Sequence, residues 1–535
     1  MRKSIRACVS LIMFLPDGVG CCILKAMCML PGWAAPTTKT ARGLSGRPFR
    51  CAAVWHFVVA AISLSLSANA AEDPSQRNKR PNILVCIADD WSWGFAGSYG
   101  NATVQTPTFD RIAREGALFQ NAFCASPSCT PSRGAILTGR PIHQLEEGGN
   151  LWSHLQKRFD VFPDLLEKAG YHVGLTGKGW GPGDLKAGGR ARNPAGPSFK
   201  SLQEFLKARP AGKPFCFWFG TQDPHRPYDK GSGLRAGMKP EAIQVPAFWP
   251  DAPEIRNDIL DYAFEIQRMD RDMGAVIKTL EAAGELDHTL IIFTSDNGMP
   301  FPRAKANLYD QGTRMPLAVR WPAKINAGQV LEAFVNLYEI APTVLDAAGV
   351  KPPAEMAGRS LLRLLAGEKD QTRTMVFLER ERHANVRAGD LSYPIRAVRT
   401  RDFLYIRNLR PDRWPAGDPE MWKAVGEFGD CDASPTKEFI ISRKGEPGIS
   451  RFFDLCFAKR PAEELYDLSK DPAQVNNVAG EAEYAQPRKD LRAALDRWMV
   501  DTGDPRMNPQ DDRWDKFPYY GNATQAPPAA QQAKR

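Results

Sequence analysis

The chain has 535 residues, 43% of them hydrophobic and 24% charged, which is ordinary for a globular enzyme and excludes a mainly disordered chain. The formal net charge is +9, but residues 1–70 contain eight Lys or Arg and one acidic residue and account for +7 of it. The other residues carry +2 without a clustered basic run, so we expect no nucleic-acid partner.

The N-terminal 70 residues have the pattern of an export signal. Basic residues up to Arg50 precede an apolar run that ends at Leu66, and Ala68-Asn69-Ala70 forms a small-residue cleavage pattern. Residues 1–46 are unusual for a signal and are interpreted as an over-extended gene start. We expect cleavage near Ala70, export to the periplasm or the cell exterior, and no stable membrane span afterwards, because the apolar run is short. An uncleaved anchor is the alternative.

Cysteine usage beyond this segment argues against a disulfide scaffold. Six cysteines remain in a long chain, which are Cys86, Cys124, Cys129, Cys216, Cys431 and Cys456. No two of them have the C-x-x-C spacing of a thiolate zinc site. Cys431 and Cys456 could pair in an oxidising compartment, and their spacing does not decide this.

Strand and helix patterns alternate through residues 81–374, after a polar linker at 71–80. Buried strands are predicted at 81–88, 171–176, 215–219 and 290–294. Helices are predicted at 108–119, 162–169 and 255–283. This alternation predicts an α/β fold with one large, doubly wound, mostly parallel sheet, which would form the catalytic domain.

The pattern changes beyond residue 375. Short strand patterns at 375–378, 403–406 and 465–468 are separated by charged turns, and a helical pattern follows at 488–499. They predict a smaller C-terminal α+β subdomain over 375–508, with an antiparallel sheet and a helix. A tail follows over 509–535, and we expect its Ala/Pro/Gln-rich end from residue 525 to be disordered.

Polar residues follow the predicted strands of the large sheet at the point where each strand ends. In open α/β sheets, ligands bind beyond the carboxyl ends of the strands, so we expect these residues to meet at one rim. Three carboxylates and one amide oxygen among them form a hard oxygen site that suits Ca²⁺ or Mg²⁺. Its members are Asp89, Asp90, Asp296 and Asn297.

The segment from Cys129 to Arg140 reads C-T-P-S-R-G-A-I-L-T-G-R and resembles the C-x-P-S-R…L-T-G-R signature of the sulfatases, in the alkaline-phosphatase superfamily. The resemblance implies that a dedicated maturation enzyme oxidises Cys129 to formylglycine, and that the four oxygen ligands hold Ca²⁺. One hydroxyl of the hydrated aldehyde would attack sulfur and the other would expel sulfate. A merely buried cysteine before a helix is the alternative for Cys129.

Cationic residues complete the site that the resemblance implies. Arg133 would hold the formylglycine hydroxyl and the metal-ligand carboxylates, and Lys178 and Lys305 would neutralise the sulfate. His225 would be the general acid that protonates the leaving group. Sulfatases carry a histidine two residues after the lysine, but Trp180 stands there, which leaves the elimination step unassigned. Trp180 could instead pack against a sugar ring.

The resemblance covers residues 80 to 505, and several stretches are most similar to the heparan N-sulfatases (sulfamidases). These stretches are 223–226, 295–302, 307–309 and 392–399. They imply hydrolysis of an N-linked sulfate on glucosamine in a sulfated saccharide. Candidate substrate contacts, for the last three of which an ordinary charged loop is the alternative, are Asp223, Glu379, Arg382 and His383.

Three other functions stay open at this point. An O-sulfatase acting on a sulfated polysaccharide would use the same core. A phosphonate or phosphodiester hydrolase of the same superfamily can also use formylglycine, metal and lysines. A non-catalytic binder of sulfated glycans would leave Cys129 unmodified, although a binder has no need of a maturation signal. The sequence does not indicate which oligomeric state the protein adopts.

Overall fold

The computed structural model describes residues 80–420 and 426–521. The predicted export signal over 1–70, the linker before Arg80 and the tail end from residue 525 lie outside the described residues. Within the two described ranges, no helix is long and apolar enough to cross a membrane.

A seven-stranded sheet carries the polar residues named above. Its strands are β1 (Asn82–Ala88), β2 (Ala117–Phe123), β3 (His172–Gly177), β4 (Phe215–Gly220), β5 (Thr289–Ser295), β6 (Arg314–Arg320) and β7 (Gln329–Asn336). The order across the sheet is β3-β4-β1-β5-β6-β2-β7, and β6 alone runs against the other six. The predicted α/β fold with a mostly parallel sheet is confirmed.

Helices cover both faces of this sheet. They are α1 (Pro107–Arg114), α2 (Cys129–Thr138), α3 (Phe162–Lys168), α4 (Leu202–Ala208), α5 (Ser232–Arg235), α6 (Pro253–Ala282), α7 (Asp310–Thr313), α8 (Ile340–Ala347) and α9 (Leu362–Leu365). Leu84 of β1 joins the hydrophobic cluster that contains α6, whereas Val85 joins the cluster on the other face. All seven residues of β1 are buried, which explains its unbroken apolar run.

The prediction of one helix over 108–119 was wrong in its last part. Helix α1 ends at Arg114, and β2 begins at Ala117. Gly116 lies between them, and a Cβ there would be 2.1 Å from the carbonyl oxygen of Val319 in β6. Only glycine fits this close approach, so the chain leaves the helix and enters the sheet between β6 and β7.

A second sheet has four antiparallel strands in the order β11-β10-β9-β8. The strands are β8 (Met375–Arg380), β9 (Ile395–Thr400), β10 (Phe403–Asn408) and β11 (Glu463–Asp467). The later helices are α10 (Pro435–Ser442), α11 (Ser450–Phe457), α12 (Ala485–Asp501) and α13 (Arg513–Lys516). This antiparallel sheet with helices confirms the α+β architecture that the sequence predicts for this part of the chain.

The two sheets share their hydrophobic cores. Phe123 of β2 and Phe334 of β7 pack in one cluster with Leu378 of β8. Helices α10 and α11 join the cluster of α6, although they follow the second sheet's strands in sequence. The hydroxyl of Thr436 in α10 donates to the carboxylate of Asp258 in α6 at 2.6 Å. Helix α10 therefore lies against α6, one of the helices that cover the large sheet.

The six cysteines of the described ranges are buried free thiols. Cys431 and Cys456, whose pairing the sequence left open, are not joined in the structure.

Candidate active site

The carboxyl ends of four neighbouring strands, β3, β4, β1 and β5, lie side by side at one edge of the large sheet. Asp89 and Asp90 follow β1, and Asp296 and Asn297 follow β5. Lys178 comes directly after β3, and His225 lies five residues beyond the end of β4. The structure thus brings together residues that are far apart in sequence, because parallel strands end at the same edge.

Cys129 is the first residue of α2, a helix of ten residues that are all buried. Its Sγ lies 3.4 Å from Oδ1 of Asp89 and 4.0 Å from Oδ1 of Asp90. Burial raises the pKa of the Cys129 thiol well above its usual value, so the unmodified thiol is neutral and a weak nucleophile. The unpaired amides at the helix start favour an anion such as sulfate at this position.

Arg133, one turn further along α2, ties three strand ends together. Its Nε donates to Oδ2 of Asp296 at 2.6 Å, and its Nη1 donates to the carbonyl oxygens of Lys178 and Gly179 at 2.7 and 2.9 Å. Nη2 lies 3.8 Å from Oδ1 of Asp89. The side chain is fully buried, so its fork positions the carboxylates and the Lys178 backbone.

Lys178 reaches into the site because β3 and β4 end in glycines. Gly177 has φ +75°, and a Cβ there would lie 2.0 Å from the carbonyl oxygen of Gly220. The Lys178 ammonium lies 2.5 Å from Oδ2 of Asp89. Burial opposes ionisation of Asp89, but Lys178 and then Arg133 outweigh it and hold the pKa of this carboxyl well below its usual range.

Lys305 lies on the other side of the carboxylate pair. Its Nζ is 2.7 Å from Oδ2 of Asp90 and 3.3 Å from Oδ2 of Asp432. Burial opposes the charged form, but Asp432 and Asp90 raise the pKa of Lys305 well above its usual value. The site therefore has two ammonium groups, each fixed by a different aspartate of the Asp89-Asp90 pair.

His225 is the most accessible of the predicted catalytic groups, with 34% of its side chain exposed. Its Nδ1 lies 2.5 Å from the carbonyl oxygen of Arg226, so Nδ1 carries the hydrogen in the neutral ring. Nε2 lies 3.8 Å from Oδ2 of Asp90. Nε2 is therefore the nitrogen that can exchange a proton with a bound molecule.

The acidic cluster fits a hard divalent cation. Ligand atoms of Asp89, Asp90, Cys129 and Asp296 lie within 4.8 Å of one another, and all four residues are buried. Oδ1 of Asn297 is buried without a hydrogen-bond partner in the described part of the chain, and Nδ2 of Asn297 donates to Asp90 at 2.6 Å. Burial raises the pKa of Asp90 despite Lys305. A cation held by Asp89, Asp90, Asp296 and Asn297 would satisfy the amide oxygen and offset this buried charge.

Trp180 does not open onto the site. The residue is 4% exposed and belongs to the same hydrophobic cluster as Leu145 and Leu155. Its Nε1 lies 3.6 Å from where a Cβ on Gly134 of α2 would be. This burial contradicts the predicted packing of Trp180 against a sugar ring, because an indole in the core cannot reach a bound saccharide.

Two of the candidate substrate contacts are held inside the protein. Glu379 accepts from the backbone N–H of Ile142 at 2.7 Å, and its other oxygen lies 2.8 Å from Nδ1 of His143. Arg382 donates to the carbonyl oxygens of Phe517 and Pro518 at 2.7 and 3.0 Å. Both residues are 1% exposed, so these polar groups are already occupied by partners within the protein.

His383 and Asp223, the other two candidate substrate contacts, lie next to the active site. Nδ1 of His383 is 2.8 Å from the hydroxyl of Ser128, the residue before α2, and burial lowers the pKa of His383 to about 3. Asp223 is paired with both ends of the Arg268 fork at 2.5 and 2.6 Å. Its carbonyl oxygen accepts the N–H of Asp89 at 3.1 Å, so Asp223 supports the backbone of the cluster.

The sequence reasoning missed two residues of the site. Asp432 precedes α10 and pairs with Lys305, as described above. Tyr262 of α6 donates its hydroxyl to the carbonyl oxygen of Asp90 at 3.1 Å and accepts from the N–H of Ser92 at 3.0 Å. This supports Asp90 in the left-handed conformation, at φ +73°. Neither residue lies in a recognisable motif.

Comparisons with known proteins show the family of this chain. A family model described as Sulfatase matches residues 81–182 and 197–350, and one described as N-sulphoglucosamine sulphohydrolase, C-terminal, matches residues 303–418. Human N-sulphoglucosamine sulphohydrolase is 33% identical in an alignment 479 residues long, which covers 80% of this chain and 92% of that protein. An ulvan-active sulfatase of Formosa agariphila is 28% identical, over 84% of this chain and 79% of its own length.

Solved structures show the same fold. A protein in complex with its substrate D-glucosamine-2-N,6-O-disulfate superposes with a TM-score of 0.57 at 21% identity, covering 81% of this chain and 99% of that one. The chain belongs to the sulfatase family, and it is a sulfuric ester or sulfamate hydrolase. The family generally uses formylglycine and a divalent metal ion, and the buried cluster around Cys129 could hold such an ion.

Proposed function

We propose that this enzyme removes the N-linked sulfate of glucosamine in a sulfated glycan. The observation that carries the proposal is the 33% identity to human N-sulphoglucosamine sulphohydrolase over 92% of that protein. The matching C-terminal family model, over residues 303–418, supports it because it includes Lys305 of the rim.

The nucleophile is made from Cys129 by a maturation enzyme. Formylglycine supplies a hydrated aldehyde, of which one hydroxyl attacks sulfur and the other expels sulfate as the aldehyde re-forms. Oδ1 of Asp89 lies 3.4 Å from the present Sγ and would accept a hydrogen bond from a hydroxyl oxygen in that position. Arg133 keeps Asp89 and Asp296 in place through contacts at 3.8 and 2.6 Å.

The sulfate lies in the cationic part of the rim. A Ca²⁺ or Mg²⁺ ion held by the four oxygen ligands would offset negative charge on the sulfuryl oxygens. Lys178 and Lys305 remain charged because their pKa values are raised by Asp89, and by Asp432 and Asp90, against the opposing effect of burial. Their ammonium groups are fixed before the substrate binds, so little reorganisation is needed in the transition state.

His225 protonates the leaving nitrogen. The Arg226 carbonyl holds Nδ1 and leaves Nε2 for proton transfer, while Arg226 itself is anchored to Asp258 at 2.8 Å. An amine is a poor leaving group without a proton, so this step matters more for an N-sulfate than for an O-sulfate. The sequence pattern before Ala70 supports export of the enzyme, where it would meet extracellular or periplasmic glycan.

The test is hydrolysis by protein produced together with the maturation enzyme, followed as sulfate released from the sulfated sugars and as phosphonate released from the phosphonate ester. Glucosamine N-sulfate, N-acetylglucosamine 6-O-sulfate and a phosphonate monoester are compared at equal concentration. We expect release from the N-sulfate first, loss of that activity in Cys129→Ala, and retention in Cys216→Ala, whose thiol is buried in β4 away from the rim.

The other results would each replace the proposal. Release from the O-sulfate alone would make the protein an O-sulfatase. Turnover of the phosphonate alone would assign the related hydrolase activity. Binding without turnover, with an unmodified Cys129, would make it a sulfated-glycan binder.

A further inference from the structure

Asp432 is an unexpected carboxylate for a site that binds an anion. Lys305, its ion-pair partner at 3.3 Å, already has Asp90 at 2.7 Å as a counter-ion. Oδ2 of Asp432 makes no hydrogen bond within the described ranges, while 30% of the side chain is exposed. A second carboxylate next to a sulfate-binding lysine repels sulfate, so its position calls for a positive group on the ligand.

The backbone around Asp432 is fixed on both sides. Two residues before it, Asp430 is buried and paired with Arg387 at 2.5 Å and with Arg380. Two residues after it, the side chain of Ser434 caps α10 by accepting the N–H of Lys437 at 3.1 Å. Asp432 is therefore held at the rim by the fold and is not a loosely placed surface residue.

Asp432 and the proposed proton donor His225 are linked through Asp90. Nζ of Lys305 lies 3.3 Å from Asp432 and 2.7 Å from Oδ2 of Asp90, and Nε2 of His225 lies 3.8 Å from the same oxygen. Burial opposes the ionisation of Asp432, but Lys305, His225 and His383 lower its pKa to about 2, so it is charged at neutral pH. His225 is among the groups whose charge acts on Asp432, so Asp432 lies near the proposed proton donor to the leaving group.

We propose that Asp432 is a specificity-determining residue that binds the ammonium group of the glucosamine product and so favours an amine leaving group. The inference rests on the proposed N-sulfatase function. When the S–N bond breaks, its electron pair stays on nitrogen, and His225 supplies the proton that makes the amine. A second proton from water gives the ammonium, which a carboxylate binds through a charge-assisted hydrogen bond. The alcohol released from an O-sulfate stays neutral and gains no such contact.

The experiment measures product inhibition of glucosamine N-sulfate hydrolysis by glucosamine and by N-acetylglucosamine. In the wild-type enzyme we expect glucosamine to bind at least about tenfold more tightly than N-acetylglucosamine, because a hydrogen bond between charged groups contributes that much to binding. Asp432→Asn should abolish this preference, and Asp432→Glu should keep part of it. Asp229→Asn, which removes a carboxylate that is 78% exposed and paired with Arg235, should behave as the wild type.

An unchanged preference for glucosamine in Asp432→Asn would overturn the inference, while continued N-sulfate hydrolysis would leave the proposed function standing. Hydrolysis of O-sulfates alone by the wild type would overturn both. Thermal unfolding of each variant checks the fold, and Asp432→Ser repeats the comparison if the Asn variant does not fold. A merely structural Asp432 would change inhibition by both sugars equally.

Discussion

Replacing Arg133 with lysine tests how the strand ends are held together. Lysine can keep one ion pair with Asp296, but it cannot also donate to the carbonyl oxygens of Lys178 and Gly179, which Arg133 reaches at 2.7 and 2.9 Å. Two hydrogen bonds from a charged donor are lost in a buried place, and we expect the free energy of unfolding to fall by about 2–4 kcal/mol. Removing the side chain in Arg133→Ala should cost more, about 3–5 kcal/mol, because it leaves Asp296 buried without its partner.

Urea unfolding followed by tryptophan fluorescence measures this change. Arg363→Lys is the matched control, because Arg363 is 84% exposed and pairs with Glu368 on the surface, and it should unfold at the same urea concentration as the wild type. Arg133→Lys should also lower kcat, since the carbonyl group of Lys178 is no longer fixed. If the free energy of unfolding of Arg133→Lys lay within about 0.5 kcal/mol of the wild-type value, Arg133 would not hold the strand ends together as proposed.

Three further predictions address the proton donor, the metal site and a buried ion pair. His225→Asn should lower kcat on an N-sulfate by about 10²–10⁴-fold and have less effect on an aryl sulfate, whose leaving group needs no proton; equal losses on both would contradict the assigned role. Asn297→Ala should weaken binding of Ca²⁺ measured by calorimetry, since it removes the unpartnered Oδ1; unchanged affinity would remove Asn297 from the ligand set. Burial opposes the charged form of His143, but Glu379 raises the pKa of His143 above 6.5. The free energy by which the His143–Glu379 pair stabilises the folded protein is therefore fully present below pH 6.5 and is lost as pH rises through the higher folded-state pKa. The stability difference between wild type and His143→Gln should shrink over that range, and a difference independent of pH would show that the pair does not titrate there.

The sequence predicts the parts of the site that local pattern controls. The unbroken apolar run of β1 has both faces buried, and the aspartates that follow it lie at the carboxyl edge as parallel-sheet topology requires. The motif that begins at Cys129 coincides with the start of α2. Local sequence pattern therefore predicted that these helices and strands exist. It did not predict the change from α1 to β2, because that change depends on contact between Gly116 and β6.

Long-range packing decides what the sequence could not show. Asp432 reaches the rim because Thr436 and the rest of α10 pack on α6, and no local pattern records that contact. Trp180 is in the core because glycines leave room for the indole, and a Cβ on Gly183 would lie 2.7 Å from its ring. An aromatic residue in a glycine-rich loop has the same sequence pattern whether it faces the core or a ligand.

Peptide mass spectrometry of residue 129 tests the central claim most directly. The tryptic fragment 115–133 contains both Cys124 and Cys129, so one peptide carries the test and its internal control. In protein made with its maturation enzyme, we predict that residue 129 has lost sulfur and gained an aldehyde oxygen, while Cys124 remains an alkylatable thiol. A fully active enzyme with an unmodified thiol at Cys129 would contradict the covalent mechanism proposed for this sulfatase.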